Sequence, residues 1–284
     1  MKSVLRNREQ WYKNRRRLIR LVKKIYQPLK FRSGHPKTLL FITGCQRSGT
    51  TLMLVKILEL DLNTKVYGEF SRLSASDPRK IRLDPLHSVR AVTERDKAGL
   101  IVLKPLVESQ HILRLLNYFE GSKALWMYRH YGDAALSGVR KFGAGRCIDR
   151  LGAVIRNRPG DWRAERVPED VRETVRKHFS QGMNPHDAAA LFWFVRNNFF
   201  FELNLEEQPN VRLCRYESLV TNPLETMRTV YRFAGQDFPG KRIIREVSAA
   251  SVGKGKDISL SPDTDLLCRN LLERLDEIHA SSAD

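Results

Sequence analysis

Short, densely apolar runs alternate along this chain with longer stretches whose apolar positions recur every three or four residues. Runs of the first kind are KTLLFITG (37–44), KVYG (65–68), LIVLKP (100–105), KALWMYR (123–129) and VRLCRY (211–216). Each is too short for a helix and rich in aliphatic or aromatic residues, so each predicts a buried strand. TLMLVKILEL (51–60), VESQHILRLLNYFE (107–120) and PLETMRTVYRFAG (223–235) predict helices, the last with Pro in its first turn and Gly as its stop. Strands and helices in alternation predict an α/β fold with a central parallel sheet covered on both faces. LFWFVRNNFFF (191–201) is the most apolar segment. Arg196 and two asparagines interrupt it, so it predicts a packed core helix rather than one of the roughly 20-residue runs that cross a bilayer.

Two regions depart from the alternation. Residues 138–186 are rich in arginine, contain RNRPGDW (156–162) and have no clear strand. They predict a mostly helical insertion over the carboxyl edge of the sheet, where open α/β folds bind ligands. Its basic residues could serve an acidic substrate or simply form a solvated face. The other region is the N-terminal arm, 1–36, ahead of a single domain at 37–284. Its first 32 residues carry twelve basic side chains against the single acid Glu9, and Leu18, Leu21, Val22, Ile25 and Leu29 form one apolar stripe. The stripe predicts peripheral contact of residues 1–32 with an anionic membrane, or else a helix packed on the body or a partly disordered leader. The breaker SGHP (33–36) ends the arm.

Composition changes this picture only modestly. Fifty Lys and Arg against 32 Asp and Glu give a net charge of +18, which suits a polyanionic ligand without choosing among nucleic acid, anionic lipid, acidic polysaccharide and nucleotide. Cys45, Cys147, Cys214 and Cys268 form no CxxC pair and no zinc spacing, so reduced thiols and a cytoplasmic location, with peripheral membrane contact as an option, are the expectation. No metal site is expected, and no recognition helix or RNA-binding aromatic pair points to specific nucleic-acid readout.

GCQRSGTT (44–51) lies between the first strand and its helix. Gly44 and Gly49 keep the spacing of the triphosphate loop G-x-x-x-x-G-K-[ST], but Thr50 stands where that loop has lysine. Backbone N–H groups along Gln46–Thr51 can still surround a phosphate, Thr50 and Thr51 add hydroxyls, and Arg47 offers a planar charged fork. Without the lysine or a clear second acidic segment for magnesium, the ligand should be an anion whose transfer uses arginine and backbone dipoles instead of a metal.

The segment Gln46-Arg47-Ser48-Gly49-Thr50-Thr51 resembles the [PQ]-[KR]-S-G-T-T loop of the PAPS-dependent sulfotransferases, particularly bacterial members and the carbohydrate and tyrosylprotein branches. The resemblance extends to Arg129 and Ser137, which keep the spacing of that family's R-x-P-x-D-x-x-x-S signature with Tyr131 at its proline position. It continues in RYESLVTNPLETMRTVYRFAG (215–235) and in the late basic loop SVGKGK (251–256), and spans roughly residues 37–275. It implies a three-layer P-loop-like fold, the donor 3′-phosphoadenosine 5′-phosphosulfate (PAPS) and the product PAP. By resemblance, the 5′-phosphosulfate falls to Gln46, Arg47, Ser48, Gly49, Thr50 and Thr51, with Arg47 neutralising the bridging oxygen. The 3′-phosphate falls to Arg129 and Ser137, a place in the nucleotide pocket to Tyr216, and closure over the nucleotide to Gly253, Lys254, Gly255 and Lys256.

Sulfuryl transfer to a hydroxyl also needs a base. KVYGEF (65–70) resembles the V-x-x-G-E region of the tyrosylprotein type, which gives that role to Glu69, with Lys104 orienting the acceptor. His111 is the competing base, while His130 sits inside the 3′-phosphate segment. Asp133 is expected to cap the following helix. The acceptor is expected to be a carbohydrate or glycolipid hydroxyl, with an acidic saccharide or a lipid-linked sugar as the two forms. Two other readings stay open, a P-loop kinase or related phosphotransferase and a nonenzymatic basic module for nucleic acid or membrane.

Overall fold

Five strands form one parallel sheet in the computed structural model of the chain, which describes residues 2–31 and 36–281. They are β1 (Thr38–Gly44), β2 (Thr64–Tyr67), β3 (Leu100–Leu103), β4 (Lys123–Tyr128) and β5 (Val211–Arg215), in the spatial order β2-β3-β1-β4-β5. All five fall on the apolar runs picked out above. Most of the breaker at 33–36 lies outside the described residues.

The helices are α1 (Lys2–Lys30), α2 (Leu86–Arg95), α3 (Ile112–Tyr118), α4 (Tyr131–Phe142), α5 (Ala144–Arg156), α6 (Glu169–His178), α7 (Pro185–Glu202), α8 (Tyr216–Thr221), α9 (Pro223–Phe233) and α10 (Pro262–Ser281). Residues 138–186 hold the end of α4, all of α5 and α6 and the start of α7. α10, which the alternation does not predict, follows the last strand and is tied to the sheet by Asp276, which accepts from Tyr128 Oη at 2.8 Å and pairs with Arg215 at 3.1 Å.

Side chains that alternate along the strands build two separate cores. Phe41, Ile101, Leu103, Ala124, Trp126, Tyr128 and Leu213 face a core shared with α3, α4, α5, α7 and α10. Leu40, Ile42, Leu100, Val102, Leu125, Met127 and Cys214 face the other, shared with the segment after the glycine loop and with α9. These are the three layers of an α/β fold with both faces of its sheet covered. α7 is the packed helix that its sequence predicts, and its Arg196 is fully buried, donating to Gln110 Oε1 at 2.9 Å between the rings of Trp162 and Phe199.

The segment expected to form an ordinary helix over 51–60 differs. Its turns are wide (π-helical) over Leu52–Ile57 and tight (3-10) over Leu58–Leu60. This change of pitch keeps Met53, Leu54, Ile57, Leu58 and Leu60 all buried against the sheet.

β1 ends on a residue that has to be glycine. Gly44 has φ +106°, and a Cβ there would lie 2.3 Å from the carbonyl oxygen of Met127 on β4. We expect Gly44→Ala to lose about 1–3 kcal/mol from the backbone conformation alone, read as a lower urea midpoint. A midpoint equal to that of the parent would refute the assigned turn.

Candidate functional site

In a parallel sheet every strand ends on the same edge, and here each strand end delivers one of the residues singled out from the sequence. β1 leads into Gly44 and the glycine loop, β2 into Glu69, β3 into Lys104, β4 into Arg129 and β5 into Tyr216. The spatial order of the strands puts Glu69 and Lys104 on one side of the loop and Arg129 and Tyr216 on the other.

The loop is held in a shape few side chains tolerate. Arg47 takes φ +70° and Gly49 φ +86°. A Cβ on Gly49 would lie 2.4 Å from the Tyr216 ring, so that ring is stacked on the bare loop backbone. Ser48 is fully buried and its Oγ has no hydrogen-bond partner. A buried hydroxyl at the centre of a glycine loop is costly unless a ligand accepts or donates there. Cys45 beside it is no nucleophile, because burial pushes its thiol up to about 12.

Arg47 crosses from the loop to the second signature. Its Nε and Nη2 donate to Ser137 Oγ at 3.0 and 2.9 Å, joining residues 90 apart in sequence. Loss of water and the charge of Arg129 push the Arg47 pKa down. Arg129 is buried, with its guanidinium 4.3 Å from the centre of the Tyr216 ring and its Nη2 donating to Ser251 O at 2.5 Å. Its Nε, also buried, has no partner. Arg47, Arg129, Ser137 and Lys254 line one hollow of about 340 Å³.

The late glycine loop closes on this hollow differently from the expectation. Asp133 does not cap its own helix. It accepts from Gly253 N at 2.9 Å and Gly255 N at 2.6 Å, and also pairs with Arg129 at 3.2 Å. The two N–H groups assigned to a phosphate are therefore already bonded, because Gly255 packs so tightly on α4 that a Cβ would lie 2.2 Å from the Gly132 carbonyl carbon. Lys254 lines the hollow, whereas Lys256 is exposed and outside its lining. Ser251, which the sequence did not single out, bridges the site by accepting from Arg129 and by a 2.5 Å hydrogen bond between its Oγ and Tyr216 Oη.

On the other side of the loop, Lys104 is buried and its Nζ reaches both Glu69 Oε2 at 2.8 Å and Thr51 Oγ1 at 3.2 Å. A lysine from β3 thus brings an ammonium to the loop that lacks its own. Glu69 and Lys104 line a cleft of about 750 Å³ that shares Arg47 and Lys141 with the smaller hollow. The arginine-rich segment contributes Arg146, Arg150, Trp162 and Arg163 to its wall. Arg150 lies between the rings of Phe142 and Phe192 and donates to Gln46 Oε1 at 3.1 Å. His111 is not brought to this cleft, since its Nε2 lies 3.3 Å from Glu165, which also accepts from Arg82 and Gln110. Among the described residues, no cluster of three His, Cys, Asp or Glu side chains is arranged to hold a metal ion.

No protein-family model matches the chain, and no curated protein matches it in sequence. Solved structures are similar to it. The sulfotransferase domain of the Synechococcus PCC 7002 olefin synthase is 16% identical over 86% of this chain and 98% of that one, with a TM-score of 0.48. A sulfotransferase from Alicyclobacillus acidocaldarius is 14% identical over 87% and 96%, with a TM-score of 0.48. The sulfotransferase domain from the curacin biosynthetic pathway is 17% identical over 84% and 98%, with a TM-score of 0.47.

His130 begins α4, where its Nδ1 accepts from Gly132 N at 3.1 Å. Burial holds its pKa below the ordinary 6.5, against the opposing charges of Glu217 and Asp133. The unfolded chain therefore takes up a proton that the folded chain resists, so the contribution of His130 is complete above 6.5 and is lost as pH falls below it. His130→Asn retains an acceptor but does not titrate, and we expect it to flatten the fall in Tm between about pH 7 and pH 5. An unchanged slope would contradict this assignment.

Proposed function

We propose that this chain is a sulfotransferase that moves the sulfuryl group of PAPS to a hydroxyl of a carbohydrate or glycolipid, releasing PAP, with Glu69 as the base. One observation carries the reading: the loop arginine and the strand-end Arg–Ser pair, 90 residues apart, converge on a single hollow with Arg47 bonded to Ser137. A ligand with an anionic group at each end is what such a divided clamp suits. The unpartnered Ser48 Oγ and Arg129 Nε, both buried, are where oxygens of that ligand would be received.

In this reading Gln46–Thr51 would hold the 5′-phosphosulfate and Arg129 and Ser137 the 3′-phosphate, with Tyr216 beside them, and PAPS supplies the activated sulfuryl group. Arg47 would turn from Ser137 toward the leaving charge. Glu69 would accept the proton of the acceptor hydroxyl. Lys104, bonded to both Glu69 and Thr51, would hold that carboxylate toward the loop. The chemistry needs position and positive charge more than covalent help from the protein. The excess of Arg and Lys over Glu69 and Asp149 in the larger cleft supports an acidic acceptor. His111, paired with Glu165 outside that cleft, is left without this role.

Calorimetric titration tests the clamp. PAP should bind roughly 10- to 100-fold more tightly than AMP, the worth of one or two hydrogen bonds to a charged group, and Arg129→Ala should erase most of that preference. Equal affinity for PAP and AMP in the folded parent would overturn the proposal.

Turnover with labelled PAPS and a fractionated polysaccharide or glycolipid extract tests the chemistry. Arg47→Ala should keep the fold and lose roughly 100- to 1,000-fold in kcat, as when one preorganised donor to a developing charge is removed. Glu69→Gln should bind PAP normally and lose transfer to hydroxyls. Normal transfer by Glu69→Gln would remove it as the base.

A further inference from the structure

α1 is mounted with its polar face inward. Lys23 Nζ donates to Glu59 O and Thr64 O, both at 2.7 Å, and Gln27 Nε2 donates to Leu62 O at 2.9 Å. Arg20 makes a two-pronged contact with Glu59 at 2.5 and 3.0 Å, and Arg15 bonds Glu246 at 2.6 Å. Lys23 and Gln27 are buried. The opposite side carries Trp11, Leu18, Leu21, Val22, Ile25 and Leu29, which are 40–77% exposed. The described chain has eight large exposed apolar side chains, and six of them lie on this one stripe. A surface helix ordinarily turns its apolar stripe toward the protein core. This one does the reverse, so packing on the body leaves the stripe uncovered.

Charge decides what covers it. Arg17 and Lys24 are exposed beside the stripe, and no acid among the described side chains of α1 stands with them. A second copy docked stripe to stripe would bring these cations together with no carboxylate among the described side chains of α1 to answer them. An anionic lipid surface answers both features at once, with acyl chains for the stripe and headgroups for the cations. No described helix is long and apolar enough to cross a membrane, so α1 would lie along the surface.

We propose that α1 is an interfacial helix whose stripe from Trp11 to Leu29 inserts into the headgroup region of an anionic bilayer while Lys23, Gln27 and Arg20 keep it fixed to the body. Trp11 sits where an aromatic ring suits the boundary between headgroup and acyl chain. The inference stands apart from the sulfuryl-transfer reading, because lipid binding is measured without nucleotide or acceptor.

The test is co-sedimentation of the full chain with vesicles. The parent should partition at least about 10-fold more strongly into phosphatidylglycerol than phosphatidylcholine vesicles, and less so as salt rises. The combined variant Leu18→Ser, Ile25→Ser and Leu29→Ser should lose that binding while keeping the parent's circular dichroism. If that variant misfolds, Arg17→Glu with Lys24→Glu serves instead, since both side chains are solvated, and it should lose the preference for phosphatidylglycerol. Failure of the parent to sediment with phosphatidylglycerol would overturn the proposal. So would unchanged binding by a folded variant, or self-association through the stripe without lipid binding.

Discussion

The contact on which the site depends is one of backbone against backbone. Gly44 leaves β1 with φ +106° and fits against the carbonyl of Met127 on β4 with no room for a Cβ. That approach locks the turn of the glycine loop to the neighbouring strand, whose next residues are Tyr128 and Arg129. A second contact of the same kind, Gly49 under the ring of Tyr216, locks the far end of the loop to the end of β5. Two glycines thus register the loop against the elements carrying Arg129 and Tyr216. The convergence of Arg47 on Ser137 follows from that register. Any side chain at either glycine would have to move a strand or a buried ring.

Around this frame the charges are sorted rather than merely accumulated. Asp133 is the one carboxylate among the residues lining the smaller hollow, and both of its oxygens are bonded to the N–H groups of Gly253 and Gly255. It ties down the late loop while also meeting Arg129, so the positive potential of Arg47, Lys254 and the remaining arm of Arg129 is left largely unbalanced. On the other side, Lys104 and Glu69 form an ion pair at 2.8 Å that adds no net charge to the site. The loop has Thr50 in place of lysine, yet it does not lack cations. They reach it from Arg47 and from the end of β3.

Much of this was legible in the sequence because its causes are local. Buried parallel strands must be short and apolar, and a tight strand-to-helix turn must carry glycine. The eight-residue step from Arg129 to Ser137 spans one strand end and two turns of helix, and the two were singled out by their resemblance to the family's signature rather than by spacing alone. What was not legible depends on residues far apart in the chain. Asp133 lies where a helix cap belongs, and only the fold reveals that its partners are more than a hundred residues away. His111 was a reasonable base, and only the fold shows that it lies against Glu165 and outside the lining of the cleft that holds Glu69 and Lys104. Ser251 has no distinctive sequence signal, because its main contribution to Arg129 is a backbone carbonyl. The pattern along α1 identified an apolar stripe but held no information on which face meets the body. That is set by the carbonyls of Glu59, Leu62 and Thr64.

The position of Glu69 joins the two proposals physically. Besides the larger cleft, it lines a second hollow of about 550 Å³ whose wall includes Lys24, Gln27 and Pro28 of α1. The carboxylate assigned to the acceptor hydroxyl therefore lies between the anion clamp and the helix whose outer face is apolar. Were α1 resting on a lipid surface, an acceptor sugar attached to a lipid would be held at that same surface, whereas a soluble polysaccharide would gain nothing from that arrangement. Basic residues around both hollows suit either acceptor. The outward apolar face of α1 suits only the lipid-linked one, so of the two acceptor classes a glycolipid accounts for more of the molecule.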